Sequence, residues 1–352
     1  VTPVELSRTV LRAVRRAVDE GELSVTVPER AVVTVPGPGG CGDYATSIAL
    51  QLARRAGQPP HRVAEILRTR LAATDGVSDV VVTGPGFLNI SLNGTAPAAL
   101  VEEILRRGPR YGVVDGYVDG STGQLRRLRC PREVRAVVVM EAVARLLRSQ
   151  GDLVRTSCEA QPDPAWESVL GARVDTYGRP ADSVPLDVDV RPVPAPADPV
   201  PLGRDAALWA LLHPAAHDRP RITDEHLVQR ETNPLFRVRY AHARTRALGR
   251  NAADLGFAAQ PGDVPDAREL LTHLADHPRI LQAAAATSAP DRLARHLVTV
   301  ADAVLPLLPA VLPRGDEKPS AAHRSRLALA EAAGTVLAGG LSLLGIDAPE
   351  HL

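Results

Sequence analysis

Few residues of this chain are of a type and spacing that could do chemistry. Pro36-Gly37-Pro38-Gly39-Gly40-Cys41-Gly42 has the small-residue content of a phosphate-cradling loop. It lacks the lysine and hydroxyl of a P-loop, so it reads as a structural turn. His213 and His217 stand at i, i+4, as metal ligands do on a helix, but Pro214 interrupts the helix and no acidic third ligand is placed. Cys130 is a nucleophile only if something lowers its pKa, and no sequence feature does so; it reads as a small buried residue. Arg237, Arg244, Arg246 and Arg250 form either a solvated face or a set of RNA phosphate contacts. No catalytic residue, metal site or cofactor follows from these residues.

The elements that must position them are legible from periodicity. Val4, Leu6, Val10, Leu11, Val14 and Val18 mark an amphipathic helix over 3–19. A strand is expected over Val25 to Val35, helices over 44–56 and 59–73, and strands over Val77 to Thr83 and Phe87 to Leu92 flanking Gly84-Pro85-Gly86. A helix over 96–107 closes this α+β unit near Arg110. A long helix, 132–150, and a strand, Leu153 to Thr156, follow. Prolines crowd 180–201 (Pro180, Pro185, Pro192, Pro194, Pro196, Pro199, Pro201), which excludes a regular helix and leaves an extended linker with one edge strand at Leu186 to Val190. From Asp205 the pattern is helical: Asp205–Leu212, Thr223–Thr232, Pro234–Leu248, Asp266–Ala275, Pro278–Thr287, Pro290–Leu307 and Ala321–Leu344, a bundle.

Composition sets bounds. The 352 residues suffice for two or three domains, and with 45% hydrophobic but only 3% aromatic residues the cores must rest on Ala, Val and Leu. The net charge of +0 argues against broad, non-specific RNA affinity, though not against a local arginine cluster. Three widely spaced cysteines, Cys41, Cys130 and Cys158, form no disulfide framework or zinc motif, which fits a reduced cytoplasmic compartment. No apolar run stands out as approaching the roughly 20 residues that span a bilayer, so no membrane association is expected.

Three segments carry a family resemblance: Gly42-Asp43-Tyr44 with Ala45 to Leu50 after it, Gly84-Pro85-Gly86-Phe87-Leu88-Asn89-Ile90, and Asn233-Pro234-Leu235-Phe236-Arg237-Val238-Arg239-Tyr240-Ala241-His242-Ala243-Arg244. In this order they resemble arginyl-tRNA synthetase. The resemblance implies an N-terminal domain that leans on the outer corner of tRNA, with Phe87 and Asn89 near the RNA. An aromatic can stack on an unpaired base and an amide can read its edge; the alternative is a core Phe87 and a turn-capping Asn89. It also implies an anticodon-binding domain of the DALR type, whose signature is degraded here to Asp205-Ala206-Ala207-Leu208-Trp209, with Arg237, Arg239, Tyr240 and Arg244 as RNA contacts. Arg292 to Leu297 and the tail Leu341 to Leu352 are similar to the family as well.

Between these ends the pattern departs. The family's His-x-Gly-His motif, which contacts ATP phosphates, aligns with Cys130-Pro131-Arg132-Glu133. Both histidines and the glycine are gone, and Glu133 would repel a phosphate. The family's lysine-rich loop is missing, since Lys318 is the only lysine. Roughly 90 residues separate the end domains, against roughly 200 for a full nucleotide-binding fold. The expected architecture is therefore a mixed α/β, multi-domain chain: an α+β domain (1–110), a truncated Rossmann-like remnant with a Pro-rich linker (111–204), and an all-α DALR-type bundle (205–352). The expected function is that of a catalytically inactive arginyl-tRNA synthetase paralogue with tRNA, tRNA-Arg among the candidates, as partner. The alternatives are a protein-interaction module on the same scaffold and a residual enzyme using aminoacyl-tRNA or a small amino acid.

Overall fold

Thr2 opens the first helix of the computed structural model, α1 (Pro3–Asp19). Its hydroxyl accepts the Glu5 N–H at 3.2 Å while the Glu5 carboxylate accepts the Thr2 N–H at 2.7 Å, a reciprocal cap. The structure describes residues 2–37, 40–93, 96–114, 123–178 and 187–352. They divide into two units, Val1–Leu100 and Val101–Leu352.

In the first unit, β1 (Val33–Thr34), β2 (Tyr44–Thr46), β3 (Val77–Thr83) and β4 (Phe87–Leu92) form an antiparallel sheet in the order β1-β2-β4-β3. The stripe Leu6, Val10, Val14 and Ala17 of α1 joins α2 (Ile48–Ala56), α3 (Pro60–Ala72) and the sheet in one core with Leu52, Leu67, Leu88 and Ile90. β3 and β4 form as the alternation implies. Gly86 in their turn has φ 137°, and a Cβ there would lie 3.0 Å from the Pro60 carbonyl oxygen, so glycine is required. Two expectations change. The strand over Val25 to Val35 shrinks to β1, because Ala31 gives its carbonyl to the Ser7 hydroxyl on α1 at 2.6 Å. The helix over 44–56 starts only at Ile48, because Tyr44–Thr46 pair with β4.

The division between the units falls inside α4 (Ala96–Arg107). The second unit carries a parallel sheet of β5 (Leu125–Cys130), β6 (Leu153–Cys158), β7 (Thr176–Tyr177) and β8 (Val188–Asp189), ordered β7-β6-β5-β8. β8 is the expected edge strand; Leu186 lies outside the described residues. α5 (Val134–Ser149) packs on β5 and β6, and also on α7 (Arg204–Leu212), α9 (Arg268–Ala286), α10 (Pro290–Val304) and α11 (Ala321–Leu344). One helix thus serves both the sheet and the bundle. A five-residue helix, α6 (Pro164–Ser168), and the long α8 (Pro234–Asp254) complete the set.

Three bundle expectations are corrected. Thr223–Thr232 holds only a 3-10 turn, Asp224–Leu227, because the Asn233 amide donates to the His226 and Val228 carbonyls at 3.0 and 2.9 Å and ends the helix. Asp266–Ala275 and Pro278–Thr287 are one helix, α9, with Pro278 inside it. Proline leaves the carbonyl four residues back without its N–H, and here the Tyr111 hydroxyl donates to that Leu274 oxygen at 3.2 Å. Finally, Pro290–Ala310 and Ala321–Leu344 are long and apolar enough to cross a membrane by length and composition, contrary to the expectation of no such run. The window in α11 is 72% buried within the protein, as the core helix of a bundle must be.

His277 and His296 stack inside this bundle, ring centroids 5.2 Å apart, and His277 stacks in turn on Tyr111. His277 Nδ1 and His296 Nε2 are buried without a hydrogen-bond partner among the described residues. Burial, with His296 nearby, holds His277 well below its ordinary value. Burial, then His273 and Arg279 against an opposing Asp276, pushes His296 down to about 4. Both rings fold neutral, so protons favour the unfolded chain. Stability is intact above the unfolded histidine value of 6.5 and falls as pH drops from there towards 4. His296 alone should cost about 3 kcal/mol across that window, at roughly 1.4 kcal/mol per pH unit. Urea unfolding at several pH values should therefore show a shallower acid loss in His296→Leu than in the parent chain.

Candidate functional site

In an open doubly wound sheet, ligands bind outside the carboxyl ends of the strands where the strand order reverses. Here that point lies between β5 and β8, at Cys130-Pro131-Arg132-Glu133. A helix N-terminus beside such a crevice attracts phosphate through its free N–H groups and dipole. In this chain Glu133 fills that role itself. One carboxylate oxygen caps α5 by accepting the Ala136 N–H at 2.8 Å. The other accepts the Ala195 N–H at 3.0 Å from the chain leaving β8. Arg132 turns away, donating to the Gln161 carbonyl at 2.7 Å with its guanidinium 5.8 Å over the Trp166 ring. Cys130 is buried beside Cys158; burial first, then that thiol and the Glu133 and Glu159 charges, push its thiol up, the opposite of an activated nucleophile.

The residue that sequence reasoning missed is Arg135. It is fully buried, and its guanidinium donates only to backbone carbonyls. Nε reaches Leu211 at 3.1 Å, one terminal nitrogen Val193 and Asp218 at 2.7 Å each, and the other Pro214 at 3.1 Å and Ala215 at 2.8 Å. Several of these carbonyls sit at the C-terminal end of α7, where the helix dipole favours a cation. Nothing local distinguishes Arg135 from the other 40 basic residues; a buried position on an otherwise apolar face of α5 was the only available signal.

The expected RNA residues separate into free and engaged. Phe87 is 41% exposed at the start of β4. Asn89, expected beside it near RNA, is buried instead, its amide donating to Thr83 Oγ1 at 2.6 Å and the Val81 carbonyl at 3.4 Å. Its alternation along β4 puts it on the opposite face from Leu88, and its donors stitch β4 to β3. On α8, Asn233 caps the helix through the Leu235 N–H at 3.1 Å. Phe236 stacks on Tyr240, which is 39% exposed. Arg237 pairs with Asp302 at 3.5 Å and Arg239 with Asp205 at 3.4 Å. Arg246 and Arg250 both face Glu350, at 2.9 and 3.7 Å. Arg244 is exposed and has no ion-pair partner among the described residues. Asp205, Phe236 and Arg239, with Leu227 and Val228, line a half-open cleft of about 560 Å³.

The remaining candidates do not converge. His213 is half-buried against Trp209, ring centroids 5.0 Å apart, while His217 is exposed beside Asp218. Among the described residues no group of three or more His, Cys, Asp or Glu could hold a metal ion. Gly40 N–H donates to the Gly37 carbonyl at 2.9 Å, a turn; Pro38 and Gly39 lie outside the described residues.

Residues 5–92 match the arginyl tRNA synthetase N terminal domain, and residues 238–352 match the DALR anticodon binding domain. The chain is an arginyl-tRNA synthetase-related protein. An arginine–tRNA ligase of Frankia alni is 26% identical over an alignment of 552 positions that takes in all of both chains. That alignment is more than a third longer than this chain of 352 residues, so it holds many positions with no counterpart here. An arginine–tRNA ligase of Renibacterium salmoninarum is 34% identical over 237 residues, 64% of this chain and 40% of that one. The fold is similar to that of Thermus thermophilus arginyl-tRNA synthetase, with TM-score 0.67 at 16% identity over all of both chains. The Plasmodium falciparum enzyme gives TM-score 0.67 at 9% identity over 99% of each.

At the carboxyl end of β5 this synthetase relative holds a carboxylate cap and a strap of its own backbone. Arginine-dependent ATP–pyrophosphate exchange is expected at background in the purified protein, and robust exchange would contradict that reading of Cys130 to Glu133. Arg135→Lys should cost about 2–6 kcal/mol in urea unfolding followed by tryptophan fluorescence. Lysine offers three donors for five, leaving at least two carbonyls dry at roughly 1–3 kcal/mol each.

Proposed function

We propose that this synthetase relative binds tRNA without activating an amino acid. The observation that carries the second half is Glu133: its two carboxylate oxygens are spent at the α5 N-terminus and on Ala195. Substrate phosphate at that helix end would meet a negative charge instead of free N–H donors. The first half is supported by the pairing of the two matched domains with an exposed aromatic, Phe87, on the first and an exposed Arg244 and Tyr240 on the second. A transfer RNA offers an unpaired loop at each of two separated places, and each surface has the chemistry for one. The compartment in this reading is the cytoplasm, where the free thiols of Cys41, Cys130 and Cys158 stay reduced.

Phe87→Ala should weaken binding of total tRNA about ten- to hundred-fold, since stacking of a base on an aromatic is worth about 1–3 kcal/mol. Arg244→Gln should lower the salt dependence by about one phosphate contact with an unchanged circular dichroism spectrum. Electrophoretic shift at low and at physiological salt measures both. If the parent chain shifts no tRNA at micromolar concentration in either salt, RNA is not its partner and a protein-interaction role replaces this one.

A further inference from the structure

We infer that the outward face of α1 holds the phosphate backbone of an RNA strand, a contact surface distinct from Phe87. Arg8, Arg12, Arg15 and Arg16 are all exposed and have no ion-pair partner among the described residues. At about 100° per residue they fall within roughly a third of the helix circumference, opposite the buried Leu6, Val10, Val14 and Ala17. The one acid in the first turn, Glu5, is committed to the Thr2 cap. Arg8 with Arg12 and Arg12 with Arg16 are like charges at i, i+4, a spacing that destabilises a helix when nothing neutralises it. An anion lying along the face removes that repulsion.

The face continues into a groove. Thr9, Arg12 and Arg16 of α1 and Arg70, Thr74 and Asp75 at the end of α3 enclose about 630 Å³ of half-open space. Arg70 is fixed there by Glu20 and by Glu22, the latter at 3.0 Å, and its Nε is buried with no hydrogen-bond partner among the described residues. Hydroxyls and guanidinium groups around a polar groove suit phosphate oxygens; Asp75 is the single carboxylate of the lining.

The chemistry favours a nucleic-acid strand over an acidic protein. Arg8, Arg12 and Arg16 advance about 6 Å per step along the axis, a regular ladder of cations like the ladder of charges on one strand. No large hydrophobic residue of α1 or α3 is exposed, so a protein partner would find no apolar anchor of the kind that dominates protein interfaces.

This inference rests on the tRNA-binding reading, and the experiment separates the two. The probe is total tRNA, titrated into the full chain by fluorescence anisotropy between low and physiological salt. Arg12→Gln/Arg16→Gln should bind at least about tenfold more weakly at physiological salt, with the slope of log K against log salt smaller by about 1.4–1.8 for two lost contacts. Its melting temperature should be unchanged or higher, because a like-charge pair is gone. Arg54→Gln/Arg55→Gln, the same change in net charge at exposed positions of α2, should leave both slope and affinity near the parent values. Equal losses in the two double variants, or parent-like binding in Arg12→Gln/Arg16→Gln, overturn the α1 site while tRNA binding stands. No binding by the parent chain overturns both.

Discussion

The second unit depends on one buried guanidinium. Prolines at 192, 194, 196, 199 and 201 each delete a backbone donor while keeping an acceptor. A segment so composed has too few donors for its own carbonyls, and among the described residues no strand beyond β8 takes them. Arg135 has five donors and no acceptor, the complement of that deficit. It collects carbonyls from both Val193 and the turn after α7. Burial lowers the Arg135 pKa from its ordinary value, yet no carboxylate bonds it directly. The charge is carried instead by converging carbonyl dipoles. That arrangement tolerates no smaller donor set.

Glu133, two residues earlier, performs the reciprocal service. It takes the Ala195 N–H while Arg135 supplies the Val193 carbonyl. The Val193 N–H goes to the Ala216 carbonyl at 2.8 Å. The linker is thereby stapled across the carboxyl end of β5, at the point where a doubly wound sheet ordinarily opens for a ligand. Arg132 and Glu133 therefore make structural contacts. The N-terminus of α5 is closed from within, and a sheet with a two-residue edge strand keeps its shape because its exit chain is pinned. Restoring a histidine at one of these positions would remove a cap without supplying the rest of a nucleotide site.

How much of this was legible follows from the range of the forces involved. α1, β3, β4 and α11 are set by hydrophobic periodicity, a local signal, and their limits fall where residue types change. The helix over Thr223–Thr232 failed because Asn233 competes for its carbonyls, a choice that a propensity cannot register. Pro278 read as a helix stop because the Tyr111 hydroxyl that rescues Leu274 comes from more than 160 positions away. Motif position puts Asn89 near RNA, and strand alternation puts it on the same face as the exposed Phe87, yet its amide is taken up by Thr83 and Val81 of β3, a partnership that no motif registers. Arg135 was invisible for the same reason as Tyr111: its five partners lie 58 to 83 positions away. The family resemblance singles out Cys130 to Glu133, but not which partners their side chains take.

A net charge of +0 hides an uneven distribution of unpaired cations. On α8 most arginines are answered: Arg237 by Asp302, Arg239 by Asp205, Arg246 and Arg250 by Glu350. Asp205 does this from the first turn of α7 and also accepts the Asp347 N–H at 3.1 Å, so this acid is a brace between α7, α8 and the tail. Surface pairs of this kind contribute little stability each, but they lower the positive potential that would draw a polyanion. Among the described residues Arg244 is left outside the pairing, and so is the arginine face of α1. An RNA contact on this chain must then be local and salt-sensitive at a few positions. The neutral total argues against a uniformly basic surface, and Arg244 with Arg8, Arg12, Arg15 and Arg16 are guanidinium groups without an ion pair among the described residues.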